Sequence, residues 1–359
     1  MSDLPIRLVV LFGGESAEHD ISCVTARHVL AAADPARYAV QPIGITREGQ
    51  WVAADDAARA LAEGVDHLPG ALTATGTPVD ALPVIAPRAA GEQVVVLPLL
   101  HGPMGEDGTV QGLLELAGVP YVGCGVLSSA ISMDKGVAKE VCAANGIPQA
   151  RWRTLHVEDG SPEVLRDVAD DLGFPIFVKP ANMGSSIGVT KAASPEALSA
   201  AVDLAFSYDE WIVCEETIDG REIECALLGA TTEPRASLPG EIVPAADFYD
   251  FADKYQDGAA TLHIPAALSD AVTAEVQSLA RQVFRVLRCY GMARVDLFYD
   301  EGGRGLVFNE VNTIPGFTPI SMYPRMWEAS GLSYPALIDE LVLLALERHA
   351  TRRRRTDVA

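Results

Sequence analysis

ARVDLFYDEGGRGLVFNEVNTIPGF, residues 293–317, decides how the rest of the chain is read. Two apolar runs flank DEGGRG, a glycine-containing connection of the kind that closes a β-hairpin. Centring the loop on Gly303 sets Asp296 opposite Glu310. Strand side chains alternate, so Arg294, Asp296, Glu310 and Asn312 emerge on one face, and Val295, Leu297, Phe308 and Val311 on the other. Charged groups on a half-buried sheet need a partner, a proton or a metal ion. Two carboxylates and an amide oxygen are hard donors of the type that suits Mg²⁺, which completes its shell from water and phosphates. The segment alone equally admits a solvated face with a cross-strand ion pair from Arg294.

Upstream, VKPANMGSSIG (178–188) places Lys179 at the end of an apolar strand, before a loop rich in glycine and serine. Glycines let backbone N–H groups approach a polyphosphate and serines add donors. The Walker order GxxxxGK[ST] is absent. Lys135, in SMDKG, and Lys179 stand out because lysine is scarce here, and two cations beside a divalent-metal face would neutralise ATP phosphates. Each is also compatible with a plain surface lysine. Glu215 and Glu216 end the strand WIVCEE, and Glu222 follows a turn later. Such carboxylates can accept hydrogen bonds from an adenine amino group and ribose hydroxyls, or form only a solvated acidic loop.

A formal charge of −22 repels a phosphate backbone and excludes general nucleic-acid binding. The six cysteines are scattered without CxxC pairs or metal-like spacing with histidine, and read as reduced core thiols. RLVVLF (7–12) is too short for a signal-peptide core, and no apolar run approaches the ~20 residues of a membrane span. The expectation is a cytoplasmic protein with no membrane partner.

At 359 residues and roughly 150 per domain, the chain exceeds one core, and three domains are expected. RLVVLFGG reads as a buried parallel strand with a glycine turn, and Ile21, Val24, Val29 and Leu30 form the inner face of the next helix. Further apolar runs at YAVQPIGIT, QVVVLPLLHG and VPYVGCG, with GTVQGLLELAG helical between the last two, make 1–125 a doubly wound α/β, Rossmann-like domain. SSAISMDKGVAKEVCAANGIP has helical periodicity with a Gly-Ile-Pro stop and opens a second unit, 126–216, containing strands at FPIFVKP and EWIVCEE. From 217 to 350, alternating strands IECALLG and ARVDLFYD with a helix around AEVQSLARQVFRVLRC suggest an α+β unit. SYPALIDELVLLALERH closes it as a helix with Ser333 as N-cap and Pro335 in the first turn, and 351–359 form a disordered arginine-rich tail.

LFGGESAEHDIS, HGPMGEDGTVQGLLE, SMDK, VKPANMGSSIGV, GREIE, FYDFADKY, ARVDLF and NEVNTIPGFTPISMYP together resemble the D-alanine:D-alanine ligase family of the ATP-grasp superfamily, in order and over nearly the whole chain. The resemblance implies a three-domain ATP-grasp fold whose N-terminal domain is Rossmann-like. It implies that ATP phosphorylates one D-alanine carboxylate and the amine of a second D-alanine attacks the acyl phosphate, giving the dipeptide for peptidoglycan, ADP and phosphate. By motif, Glu18 would hold the first substrate's ammonium, with Ser185 and Tyr255 as its hydrogen-bonding partners and His101 alongside. Arg294 and the Gly316 N–H would form the oxyanion site. Lys135, Lys179, Ser186 and Lys254 would meet phosphates, with Lys254 also beside the substrate. Glu215, Glu216, Ile218, Glu222 and Asn309 would surround the nucleotide. Ser321 and Met322 would receive the second substrate's carboxylate, and Asp296, Glu310 and Asn312 would hold two Mg²⁺ or Mn²⁺ ions, with K⁺ as a further activator. A homodimer built on the N-terminal domain is also implied.

FYDFADKYQDGAATLHIPA (248–266) is too long for a mere connector and reads as a lid. Its Lys254-Tyr255 pair, absent from ester-forming relatives, favours an amine nucleophile. Glu216 departs from the lysine of several members, and Gln256 from a frequent leucine, which bears on adenine-edge contacts and lid packing. The rival readings are a ligase with another second substrate, D-serine or D-lactate, or a self-resistance paralogue, with Met322 and Phe251 in the relevant pocket. A non-catalytic nucleotide-binding regulator is the rival from another class, but it would be expected to have lost one of Asp296, Glu310, Asn312, Lys179 or Arg294.

Overall fold

The computed structural model describes residues 5–244 and 261–352. The first sheet has the order β4-β3-β2-β1-β5, formed by β1 (Ile6–Gly13), β2 (Tyr38–Ile45), β3 (Trp51–Ala53), β4 (Thr77–Pro78) and β5 (Val94–Pro98). β1 lies between parallel neighbours β2 and β5 and is buried from Arg7 to Gly13, as a central parallel strand covered on both faces must be. VPYVGCG is not a strand: only one bridge, Val96 to Tyr121, forms there. At the C-terminal end of β1, Gly13 has φ 89° and a Cβ on it would stand 2.3 Å from the Ile45 carbonyl oxygen, so only glycine fits this turn.

The following helix, His19–Ala32, buries Ser22, Cys23, Ala26, Val29 and Leu30, whereas Ile21 and Val24 are half-exposed. Val29 and Leu30 thus lie on the buried face as expected, and Ile21 and Val24 do not. Of the helix's buried polar residues, Ser22 is accommodated because its hydroxyl donates to Leu99 O at 2.5 Å and accepts from Gly13 N–H at 2.8 Å.

A second, antiparallel sheet has the order β6-β9-β7-β8: β6 (Trp152–His156), β7 (Ile176–Pro180), β8 (Thr190–Ala192) and β9 (Trp211–Glu216). The segment before it is two helices, Val126–Met133 and Lys135–Ala144, not one. Asp134 breaks them by adopting extended backbone and capping the second through Val137 N–H at 2.9 Å.

The third sheet runs β13-β12-β10-β14-β15, with β11 on β10, from β10 (Arg221–Gly229), β11 (Arg235–Ala236), β12 (Gly240–Val243), β13 (Thr261–His263), β14 (Gly291–Asp300) and β15 (Gly305–Asn312). One face packs on helix Asp270–Val286, whose Val276, Leu279, Ala280, Val283 and Phe284 follow helical spacing and join Val295, Leu297, Phe308 and Val311 in one apolar cluster. Ala138, Cys142 and Ile147 belong to the same cluster. On the other face, Ala226, Leu228 and Met292 share a core with Leu8, Val10 and Phe12 of the first sheet and with helices Met322–Ala329 and Tyr334–Thr351. That shared core joins the first and third sheets, while the polar end of the β10–β14–β15 face meets Lys179 of the second sheet.

Ser333 is the N-cap of the last helix and Pro335 lies in its first turn, as expected. Arg348 from this helix donates to Gly123 O at 2.9 Å and lies over the rings of Tyr121 and Tyr290. Of the expected tail, Thr351 is still helical and Arg352 pairs with Glu115; the remainder lies outside the described residues. Among the described residues, no single helix is long and apolar enough to cross a membrane.

Candidate active site

The hairpin pairs Asp296 with Glu310 and Arg294 with Asn312. Nearer the turn the register changes, Leu297 facing Phe308 and Asp300 facing Gly305, so a bulge leaves Asn309 as the extra residue. The loop is thus half a residue off the expected centre. The bulge lets both Asn309 and Glu310 meet the lysines: Lys179 Nζ donates to Asn309 Oδ1 at 3.3 Å, and Lys135 Nζ lies 4.0 Å from Glu310 Oε2.

Arg294 grips Asp296 through two bonds of 2.7 Å, from Nε to Oδ1 and from Nη2 to Oδ2. Its Nε is also 3.1 Å from Glu224 Oε2. The Asn312 amide donates to Asp296 Oδ2 at 2.9 Å. Burial disfavours the guanidinium, but the neighbouring carboxylates, Asp296 first, hold its pKa well above the usual value.

At the end of β9, Glu215 is buried between two ammoniums, with Lys179 Nζ at 3.0 Å and Lys139 Nζ at 3.3 Å. Lys139 is 1% exposed and also lies over the Trp152 ring. Burial pushes the Lys139 pKa down while Glu215 opposes the shift. For Glu215, burial raises the carboxyl pKa, yet Lys139 and Lys179 together bring it below its usual value. Glu216 accepts from Arg151 N–H and Nε at 2.8 Å each and from Arg304 Nη1 at 2.5 Å. Both carboxylates expected near adenine therefore already serve protein cations. Glu222 is half-buried on β10 within the field of Lys179, and Ile218 is half-buried beyond β9.

Glu18 is the N-cap position of helix His19–Ala32 and accepts the Ser185 hydroxyl. It lies against two glycines: a Cβ on Gly184 would come 2.7 Å from its Oε2, and one on Gly102, 2.9 Å. Ser185 and Ser186 hold left-handed backbone, φ 51° and 58°, a conformation costing a non-glycine residue about 1–2 kcal/mol. A cavity of about 200 Å³ opens beside Glu18, lined by Glu15, Pro103, Met104, Met183 and Gly184 among others.

His101 is buried, with Nδ1 2.9 Å from Ile314 O; its Nε2 has no hydrogen-bond partner among the described residues. Glu106 accepts from Gly102 N–H at 2.9 Å and Ile314 N–H at 2.8 Å. Burial, and then the Glu18 carboxylate, push its pKa up to about 8 against these two N–H groups. Ile314 is thus held at both N–H and C=O by the HGPMGEDG loop, which sets the position of Gly316 two residues on. Ser321 is the N-cap position of helix Met322–Ala329, and its hydroxyl accepts from Thr318 N–H at 3.2 Å. The Met322 side chain is in the core, so what it presents at the helix N-terminus is its backbone N–H, suited to a carboxylate. Lys254, Tyr255, Phe251 and Gln256, with most of the expected lid, lie outside the described residues.

Lys139, Glu106 and Glu224 escaped the sequence reading. Lys139 is one more scarce lysine, one helical turn after Lys135; Glu224 shares strand parity with Glu222; and Glu106 sits within HGPMGEDG. Among the described residues no three His, Cys, Asp or Glu side chains form a closed metal cage. Two carboxylates and an amide on neighbouring strands nonetheless fit an ion that takes its other ligands from phosphate and water.

Residues 7–124 match the family model for the D-ala D-ala ligase N-terminus and residues 141–343 that for the D-ala D-ala ligase C-terminus. The chain is 50% identical to a D-alanine–D-alanine ligase of Kineococcus radiotolerans, covering 95% of this chain and 97% of that one. With the ligase of Halothermothrix orenii the identity is 45%, over 95% and 98%. Among solved structures, the D-alanine–D-alanine ligase of Coxiella burnetii superposes with TM-score 0.82 at 40% identity, over 96% of this chain and 95% of that chain. The VanG D-Ala:D-Ser ligase of Enterococcus faecalis gives 0.82 at 35%, over 95% and 100%.

Proposed function

Because the chain belongs to the D-alanine–D-alanine ligase family of ATP-grasp fold, and as such joins two D-alanines at the expense of ATP for peptidoglycan synthesis, we propose how its own residues divide that work. The carrying observation is the meeting of Lys135, Lys179, Asn309 and Glu310 from separate elements, two cations facing a hard carboxylate and an amide oxygen. Such a set takes up a metal-bound triphosphate.

Glu18, steadied by Ser185, binds the ammonium of the first D-alanine in the adjoining cavity, with His101 alongside and Tyr255 completing the set. Lys135, Lys179, Lys254 and the Ser186 loop hold the phosphates. Glu222 and the backbone around Glu215, Glu216 and Ile218 hold the nucleoside. Asp296, Glu310 and Asn312 hold Mg²⁺ or Mn²⁺. A cation held by these residues would neutralise phosphate charge during transfer of the γ-phosphoryl group to the D-alanine carboxylate. A backbone N–H at the Met322 helix start and the Ser321 hydroxyl orient the second D-alanine by its carboxylate. Its amine attacks the acyl carbon, Arg294 and the Gly316 N–H stabilise the oxyanion, and phosphate leaves as the C–O bond breaks and the amine loses a proton.

Units near 1–125, 126–216 and 217–350 form part of this reading, supported by the three sheets. A homodimer through the N-terminal unit is part of the same reading, supported there by the exposed Leu116 of helix Thr109–Ala117.

Purified protein incubated with ATP and a panel of D-amino and D-hydroxy acids yields D-alanyl-D-alanine as the main product by mass. Use of D-lactate on a par with D-alanine at neutral pH would overturn the choice of an amine nucleophile. Chelation by EDTA abolishes phosphate release, and Mg²⁺ or Mn²⁺ restores it; undiminished release in EDTA counts against the metal assignment.

A further inference from the structure

Asp296 carries two demands that conflict. Its carboxylate accepts three hydrogen bonds, two from Arg294 and one from Asn312. A carboxylate offers about four lone-pair sites, and these bonds take one on Oδ1 and both on Oδ2, so a cation that engages both oxygens of Asp296 displaces at least one of them. The Arg294 side chain is 17% exposed, and a guanidinium so largely withdrawn from water is disfavoured without a carboxylate partner. A second acceptor stands ready. Glu224, 5% exposed, faces Asp296 across the β10–β14 ladder and holds Oε2 at 3.1 Å from the same Nε that donates to Asp296.

We infer that Glu224 is a positioning residue, which keeps Arg294 paired and aimed at the reacting carbonyl while Asp296 turns to the metal ion. Register makes this geometry: β10 and β14 are antiparallel neighbours, so Glu224 and Asp296 project side by side on one face, with Arg294 one strand pair along. Glu224 thereby uncouples two functions that share Asp296, cation capture and oxyanion stabilisation. The inference rests on the assignment of Asp296 to the metal and Arg294 to the oxyanion.

The test is a double-mutant cycle of Glu224→Gln and Arg294→Met in the full chain, with Asp296→Asn alongside. Steady-state kinetics and Mn²⁺ binding with ADP, followed by electron paramagnetic resonance, are the readouts. Loss of a supporting partner of this kind typically costs 10–100-fold, so Glu224→Gln should lower kcat and weaken Mn²⁺ binding each by at least about tenfold, with the KM for D-alanine little changed. Acting through Arg294, Glu224→Gln adds no further kcat loss to Arg294→Met. Losses that multiply in the double variant, an unchanged kcat in Glu224→Gln, or a rise in KM alone overturn the inference. Should Glu224→Gln fold poorly, Glu224→Asp keeps the charge and retains more of the Mn²⁺ affinity; no recovery there has the same consequence. Wild-type Mn²⁺ binding by Asp296→Asn overturns the metal assignment and this inference with it, whereas lost binding there with multiplying kcat losses overturns the inference alone.

Discussion

Glu310→Gln loses most of its turnover, at least about a hundredfold in kcat, while its unfolding transition stays close to wild type. The substitution keeps shape and removes one negative charge from a side chain that is partly open to solvent and 4.0 Å from Lys135. An ion pair so placed contributes about 0–1 kcal/mol to stability. A metal ion acting on phosphoryl oxygens supplies several kcal/mol in the transition state, and each ~1.4 kcal/mol is tenfold in rate. Function and fold therefore separate at this residue. Near-normal phosphate release by the variant, measured at saturating ATP and Mg²⁺, would sink the assignment of Glu310 to the metal.

Glu215→Gln behaves in the opposite way, losing stability first. Glu215 is the shared counter-charge of Lys139 and Lys179. Removing one partner of a buried ionic cluster costs about 3–5 kcal/mol, because the remaining charge is left without water or partner. Lys139, already pushed toward the neutral form by burial, is the group left most exposed to that penalty. Denaturant unfolding should show an earlier transition for Glu215→Gln and recovery of much of the loss when Lys139→Met is added. If the single variant unfolds like wild type, the cluster does not stabilise the fold. The pH dependence has a definite sign. The folded-state pKa of Glu215 is held below the ordinary carboxylate value by Lys139 and Lys179, so its contribution is present above that ordinary value and is lost as pH falls through the folded pKa.

Much of the candidate site was legible because it is built on local periodicity. The two-residue period of a strand put Arg294, Asp296, Glu310 and Asn312 on one face, and the pairing of Asp296 with Glu310 follows once the turn is recognised. The bulge that brings Asn309 into reach of Lys179 has one mark in the pattern, because Phe308 and Val311, three residues apart, share the core only if a residue between them is extra; which residue that is appears only in the strand pairing. The inner face of helix His19–Ala32 was misjudged for a related reason. Hydrophobicity points outward from Ser22, and only the Gly13 and Leu99 backbone groups explain why a hydroxyl is buried there. Likewise one periodic stretch became two helices because Asp134 makes a cap that competes with helix continuation.

The chain's own order of residues determined the strand-and-helix alternation, the polar face of the hairpin and the cations upstream of it, because these depend on neighbours a few positions apart. Tertiary structure alone decided which charges meet. Glu106 reaches Ile314 and Lys139 reaches Glu215 from elements distant in the chain. Each carboxylate settles against a partner distant in sequence because burial removes water as the alternative, and only the packed fold determines which opposite charge or N–H donor is within reach.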